Sequence, residues 1–160
     1  MYDEAYGKTL EYKDLINNPD PIIRARWNNS GSNEFGRLIQ GIRDIAGIEK
    51  MCFLSRKEIP EHKKVTYARM VCDIRPQKEE THRLRMTAGG DILDYSGDNS
   101  TESAGLETIK INWNSVLSTP KARYMTMDIS NMYLTTKPPE PEYMRIHISL
   151  IPDEIMKVYK

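Results

Sequence analysis

The sequence has few of the residues and runs that mark zinc-binding, membrane-spanning or secreted proteins. Its two cysteines and three histidines are scattered, and no pair of them has the spacing of a zinc site. No apolar run approaches the roughly 20 residues of a transmembrane helix. The first residues, M-Y-D-E-A-Y-G-K, contain no signal-peptide core. We therefore expect an intracellular, non-secreted protein with no membrane span, in which Cys52 and Cys72 are buried, reduced thiols.

What the chain does have is enough apolar sequence for one globular domain, together with an uneven distribution of charge. Hydrophobic residues make up 39% of the 160 residues, which is sufficient for a core at this length. The net charge is zero, yet residues 56–87 contain nine basic and five acidic residues, whereas residues 88–110 contain one basic and five acidic residues. The basic segment can either contact phosphates or form a solvated face.

A long antiparallel hairpin over about residues 65–90 is the clearest structural pattern. Apolar and polar residues alternate on both sides of the charged segment R-P-Q-K-E-E-T-H, as they do in half-buried strands. The alternation places Arg83 and Arg85 on the outward face. There they can pair with Asp73 or Glu79, or remain free to bind a ligand.

Helical periodicity occurs in three other segments. Asp20-Pro21 is a typical helix start, with Asp as the N-cap and Pro at the first helical position. Residues 28–33, N-N-S-G-S-N, should end this helix, and a second helix should begin near Asn33. A third helix is expected over about residues 101–117. Its apolar stripe includes Trp113, which favours a core position for that ring over the alternative of a base-stacking platform.

The segment Ala122–Leu134 predicts a strand that ends at a carboxylate. Side chains alternate over about residues 122–129, and Asp128 stands before the polar turn Ser130-Asn131. Two interpretations are open. Asp128 can cap the backbone amides of the turn. Alternatively, a sheet edge can hold it rigidly as an oxygen ligand for a divalent cation such as Mg²⁺.

Three segments resemble the reverse transcriptases of copia-type retrotransposons. M-D-I-S-N-M-Y-L resembles their first catalytic motif, in which an aromatic residue follows the aspartate by five positions, as Tyr133 follows Asp128. R-L-R-M-T-A-G-G-D resembles the basic strand of their fingers, with Arg83 and Arg85 as the basic pair and Gly89 where the family has lysine. E-Y-M-R-I resembles a strand that follows the first motif.

The resemblance implies a fold and a domain organisation. It covers roughly residues 27–155 and implies an α+β fold, the partial fingers and palm of a polymerase right hand. In this fold the hairpin and the third helix pack on a palm strand at about 122–129. Residues 1–160 would form one partial domain, with a helical lead-in over 1–50, fingers over 51–100 and the start of the palm over 101–160.

The resemblance also implies the residues of a nucleotide site. Asp128 would be the catalytic carboxylate that holds both Mg²⁺ ions of the complete enzyme, with the Ile129 carbonyl as a further oxygen ligand. The backbone amides of Asn131 and Met132 would contact the triphosphate. The ring of Tyr133 would lie under the sugar and exclude a 2′-hydroxyl, which favours deoxynucleotides.

Arg83 and Arg85 are implied to bind the triphosphate, because planar guanidinium groups bind phosphate oxygens bidentately. The implied function is that of an RNA-directed DNA polymerase, which transfers deoxynucleotides onto a primer. Its partners would be an RNA or DNA template-primer, deoxynucleotides and the rest of a polyprotein with the remaining palm, the thumb and RNase H. The implied location is a cytoplasmic particle or the nucleus.

One part of the metal site is missing from the sequence. The family completes its site with an Asp-Asp pair, and these 160 residues contain none. Because one carboxylate cannot hold two divalent ions, we expect this chain alone to be inactive as a polymerase. Two alternatives remain open: a non-catalytic nucleic-acid-binding remnant that uses the basic hairpin, and a small α+β interaction module without a nucleic-acid role.

Overall fold

The structure, a computed structural model, describes residues 2–3, 8–93, 104–127, 129, 134 and 140–159. The chain divides into two compact units, residues 1–93 with 140–160, and residues 94–139. In chain order the elements are β1 (Tyr2–Asp3), β2 (Lys8–Thr9), α1 (Tyr12–Ile16), α2 (Pro21–Leu38), β3 (Gly41–Ile42), β4 (Ile45–Ala46), a 3₁₀ helix (Arg56–Glu58), β5 (Val65–Ile74), β6 (His82–Ala88), α3 (Leu106–Ser118), β7 (Tyr143–Arg145), a second 3₁₀ helix (Ile148–Leu150) and α4 (Asp153–Val158). Helix α3 belongs to the second unit, and the other elements belong to the first.

The predicted α+β class and the long hairpin are confirmed. β5 and β6 pair antiparallel, from Ala68 opposite Ala88 to Ile74 opposite His82. β7 pairs with the other side of β5 as a parallel strand, which gives the strand order β6-β5-β7. β1 with β2 and β3 with β4 form two further antiparallel pairs. In the described sheet, β6 is therefore an edge strand.

The prediction of a helix break at residues 28–33 is wrong, because α2 runs through this segment to Leu38. Asp20 is its N-cap, as predicted, and accepts a hydrogen bond from the Ile22 N–H at 2.8 Å. The weak helix formers of the segment are needed for close packing. A Cβ at Gly31 would overlap the hydroxyl of Tyr12. Tertiary packing therefore overrides local helix propensity here.

Side chains of α2 complete the hydrogen bonds of the β6 edge. Ser30 Oγ accepts from the Leu84 N–H at 2.7 Å, and Glu34 Oε1 accepts from the Met86 N–H at 3.1 Å. Ser30 and Glu34 are four residues apart on the helix, a rise of about 6 Å. Leu84 and Met86 are two residues apart on the strand, a rise of about 6.8 Å, so both hydrogen bonds can form at once. The helix thereby covers a strand edge that would otherwise be open to pairing.

The core lies between α1, α2 and the inner face of the hairpin. Its first cluster consists of Leu10, Tyr12, Leu15, Trp27 and Leu84. Its second cluster consists of Phe35, Ile39, Ile42 and Ile155. Met70 of β5 packs against both clusters. Because residues of α2 take part in both clusters, this helix fixes the position of the hairpin.

In the second unit, the predicted helix is present as α3, but it begins at Leu106, with Gly105 as the N-cap, and not near residue 101. The predicted strand over 122–129 is wrong for the residues described there, 122–127 and 129, which have no regular secondary structure. Met125 and Met127, which would share one face of the predicted strand, are 74% and 71% exposed. A strand needs a paired neighbour and a face to bury, and these described residues have neither.

Three predicted core positions are also wrong. Cys52 is exposed and Cys72 is half-buried, and both are free thiols. Trp113 is 48% exposed despite its place in the apolar stripe of α3. At these three positions an apolar local sequence does not lead to full burial. Among the helices that the structure describes, none is both long and apolar enough to cross a membrane.

Candidate nucleotide-facing site

The predicted nucleotide-facing residues fall partly outside the described part of the chain. Asp128, Asn131, Met132 and Tyr133 lie outside the described residues, so their predicted roles stay predictions. Ile129, whose carbonyl is the expected second oxygen ligand, is described and has an exposed side chain. The two predicted arginines lie on β6, and the structure gives them different surroundings.

Arg83 lies in an ion-pair network between the hairpin and α2. Its Nη1 donates to Glu80 Oε2 at 2.8 Å, and its Nη2 lies 3.5 Å from Glu34 Oε2. The Arg83 side chain is 22% exposed. The sequence predicts Asp73 or Glu79 as the ion-pair partner of Arg83, whereas the observed partners are Glu80 and Glu34. This guanidinium is therefore already bound to two carboxylates, which it shares with Arg37 and Arg75.

Glu80 is the centre of this network. Its carboxylate accepts hydrogen bonds from Asn33 Nδ2 at 3.1 Å, Arg37 Nη2 at 2.8 Å and Arg83 Nη1 at 2.8 Å, and Arg75 Nη2 lies at 3.4 Å. Burial raises the pKa of the Glu80 carboxyl, but hydrogen bonds from Arg37, Arg83 and Asn33 outweigh it and lower the pKa from 4.5 to about 2. Glu80 is therefore ionised at neutral pH and attaches the hairpin to α2. We call these contacts the Glu80 network.

Arg85 is on the outer face of the hairpin and is exposed. It stands opposite Val71 in the strand ladder, and it has no ion-pair partner among the described residues. Arg69, also exposed, stands opposite Thr87 on the same face. Diagonal neighbours on one face of an antiparallel pair are about 7–8 Å apart, which is within reach of long side chains. Arg85 and Arg69 together can therefore contact one anionic ligand.

Gly89, where the resembled family has lysine, packs against the ring of Tyr67. A Cβ at Gly89 would lie 2.5 Å from Tyr67 Cζ. The Gly89 N–H donates to the Tyr67 carbonyl at 2.9 Å, and the Tyr67 hydroxyl donates to Asp91 Oδ1 at 2.9 Å. A larger residue would have to displace this ring. The missing positive charge at this position therefore has a packing reason.

The sequence interpretation missed the residues that surround Arg83. Glu34 and Arg37 stand three positions apart, so their proximity on a helix could be expected. Nothing local indicates that Glu80 faces α2, because the charged tip of a hairpin is usually solvated. The contact depends on how the hairpin packs, and the alternation of side chains does not determine that.

The described residues contain no group of three or more His, Cys, Asp or Glu side chains that could hold a metal ion. The carboxylate predicted to bind Mg²⁺, Asp128, lies outside them. Its oxygen and the Ile129 carbonyl are donors of the type that Mg²⁺ prefers.

No protein-family model, curated protein or solved structure matches the chain. The likeness to copia-type reverse transcriptases therefore depends on the sequence segments described above.

Proposed function

We propose that the chain is the fingers and the first part of the palm of a copia-type reverse transcriptase, an RNA-directed DNA polymerase. The observation that carries the proposal is the hairpin β5–β6, which presents Arg85 on the face opposite the core. The same chain continues to the motif M-D-I-S-N-M-Y-L. A strand pair anchored by a covering helix is suited to hold a phosphate-binding group in a fixed place. The proposed partners are deoxynucleotides, a template-primer and the rest of the polyprotein.

The two arginines of β6 have different tasks in this proposal. Arg85, exposed and without an ion-pair partner among the described residues, contacts the triphosphate. Arg83 is a positioning residue, because its guanidinium is bound to Glu80 and Glu34. Loss of Arg85 should weaken nucleotide binding without changing stability. Loss of Arg83 should lower the free energy of unfolding, because its ion pairs with Glu80 and Glu34 are lost.

The carboxylate of Asp128, with the carbonyl of Ile129, would hold Mg²⁺ beside the triphosphate, where the ion supplies charge neutralisation. The amides of Asn131 and Met132 would donate to phosphate oxygens, and Tyr133 would contact the sugar. Because the sequence has no Asp-Asp pair, we propose that this chain alone binds deoxynucleotides and does not polymerise them.

Calorimetric titration of dTTP into the full chain, with and without Mg²⁺, tests the proposal. Binding should require Mg²⁺, and Asp128→Asn should remove this requirement together with most of the affinity. Arg85→Ala should weaken binding by about tenfold or more, the effect of losing a hydrogen bond to a charged group. Arg56→Ala, which removes an exposed arginine on the first 3₁₀ helix, is the matched control and should have no effect.

The proposal fails if dTTP does not bind, or if it binds equally to the wild-type and Asp128→Asn chains.

One alternative function is non-catalytic binding of nucleic acid. It is favoured by Arg69 and Arg85, which form an exposed basic pair on the hairpin that can contact the backbone of a nucleic acid. In that case an oligonucleotide should bind without Mg²⁺, with a steep salt dependence and no sequence preference. The double change Arg69→Ala with Arg85→Ala should then reduce the salt dependence.

A further inference from the structure

Two exposed aromatic rings stack on each other in the second unit. The centroids of Trp113 and Tyr124 are 4.8 Å apart, and the ring planes meet at 24°. The two side chains are 48% and 46% exposed. Large aromatic rings usually contribute to cores, and an exposed stacked pair of this kind can extend its stack to a third ring.

A strained turn brings the two rings together. Tyr124 follows the end of α3, and the chain reverses at residues 119–122, where the Ala122 N–H donates to the Thr119 carbonyl at 3.1 Å. Pro120 occupies the second position of this turn, and Lys121 occupies the third with φ +66°. A turn with Pro second and a left-handed third residue is of type II, which usually has Gly there. A lysine in this conformation costs free energy, and such strain is concentrated at functional sites.

Basic residues lie close to the aromatic pair in sequence. Residues 104–127 contain three basic residues, Lys110, Lys121 and Arg123, and one acidic residue, Glu107, whereas the whole second unit, residues 94–139, contains four basic and five acidic residues. All three basic side chains are exposed and have no ion-pair partner among the described residues. Lys110 precedes Trp113 by three positions on α3, and Arg123 directly precedes Tyr124. The cations therefore flank the rings in sequence on both sides.

From the stacked rings, the turn and the charges, we infer that Trp113 and Tyr124 form a base-stacking platform for single-stranded nucleic acid. A nucleobase adds to the ring pair, and the basic residues contact the adjoining phosphates. Single-strand-binding proteins use the same combination of aromatic rings and positive charge. Lysine is depleted at protein–protein interfaces, so the exposed Lys110 and Lys121 favour a nucleic acid over another protein as the partner. This site lies in a different part of the chain from the hairpin and stands whether or not the chain binds dTTP.

Binding of a labelled oligothymidylate of about 12 nucleotides, within the range of known site sizes, tests the inference on the full chain. Trp113→Ala and Tyr124→Ala should each weaken binding by about 5- to 100-fold, the effect of losing one base–aromatic stack. Ile111→Ala removes a 68%-exposed apolar side chain from the same helix. It is the matched control and should leave the affinity unchanged.

Tryptophan fluorescence is a second readout, and it can be measured on the wild-type chain. The chain has two tryptophans, and Trp27 is buried. The oligonucleotide should therefore quench the fluorescence of Trp113, and Trp113→Phe should abolish the quenching while keeping most of the affinity. Arg123→Gln should lower the slope of log affinity against log salt by about 0.7.

Three results would overturn the inference. The first is no binding of the oligonucleotide. The second is equal weakening by Trp113→Ala and Ile111→Ala, which would indicate general apolar contact such as protein docking. The third is salt-dependent binding that Trp113→Ala and Tyr124→Ala leave unchanged, which would indicate backbone contacts alone.

Discussion

Replacement of Glu80 by glutamine should destabilise the first unit, because this carboxylate is the shared acceptor of the Glu80 network. Glutamine keeps one carbonyl acceptor but removes the charge. Among the described residues, Glu34 is then the one carboxylate near Arg37 and Arg83, at 3.6 and 3.5 Å. The Nε atoms of Arg83 and Arg75 are already buried without hydrogen-bond partners among the described residues. The variant therefore leaves several cationic groups close together with too little negative charge.

The magnitude follows from the number of hydrogen bonds and from their exposure. A hydrogen bond to a charged group contributes about 1.5–3 kcal/mol when it is well shielded from water. The side chains of Glu80, Arg37, Arg75 and Arg83 are between 21% and 29% exposed, so solvent screening reduces this contribution. We expect the free energy of unfolding to fall by about 2 kcal/mol in total. With a urea m-value of about 2 kcal/mol/M, the midpoint should fall by about 1 M.

Urea denaturation followed by far-UV circular dichroism measures this difference at neutral pH. Glu79→Gln is the matched control, because Glu79 is adjacent, exposed and without an ion pair among the described residues, so its change should cost less than about 0.5 kcal/mol. If Glu80→Gln and Glu79→Gln have the same midpoint, the Glu80 network does not hold the hairpin to α2.

The same carboxyl predicts a pH dependence. The pKa of Glu80 is lowered in the folded chain from 4.5 to about 2. A lowered folded-state pKa stabilises the protein above the unfolded-state value, and this stabilisation is lost as the pH falls from about 4.5 to about 2. The difference in unfolding free energy between the wild-type and Glu80→Gln chains should therefore shrink over this window. A difference that stays constant over this window would contradict the assignment.

Two further predictions concern packing in the first unit. Gly31→Ala should destabilise it by about 1–2 kcal/mol despite the better helix propensity of alanine, because the new methyl group would meet the buried Tyr12 hydroxyl. Tyr12→Phe should restore part of this stability in urea, because Pro152 Cγ and Tyr12 Cζ would still lie 3.0 and 3.1 Å from the new carbon. No restoration would contradict this reason. Burial raises the pKa of the half-buried Cys72 thiol to about 11. Iodoacetamide should therefore alkylate the exposed Cys52 at least about tenfold faster than Cys72 at neutral pH, which peptide mass spectrometry measures. Equal rates at the two cysteines would contradict the partial burial of Cys72.

The hairpin could be predicted from the sequence, and the course of α2 could not. Alternation in β5 and β6 reports burial of one face, which local sequence determines. The segment at residues 28–33 has weak helix propensity, but its small and polar side chains fit against Tyr12 and the β6 edge. That benefit arises only when β6, far along the chain, is in place. The predicted strand at 122–129 is wrong for the complementary reason, since its alternation finds no paired strand among the described residues.

For the residues of the candidate site, the sequence likewise predicts the face of the strand but not the side-chain partners. Outward placement of Arg85 follows from the period of the strand and is confirmed. The period equally places Arg83 outward, but the side chain turns to Glu80 and Glu34. Trp113 was expected in the core because it belongs to an apolar stripe, and its exposure reveals the stack with Tyr124. Sequence periodicity thus predicts faces, whereas the partners of long charged and aromatic side chains depend on tertiary packing.

In the proposed function, the carboxylate of Asp128 holds a divalent ion together with a nucleotide. Electron paramagnetic resonance of Mn²⁺, used in place of Mg²⁺, measures this as the decrease of the sharp free-ion signal that the protein causes beyond the decrease caused by dTTP alone. We predict that the chain takes up Mn²⁺ when dTTP is present, and that Asp128→Asn abolishes this uptake. Equal uptake by the wild-type and Asp128→Asn chains, or no uptake by either, would contradict the claim.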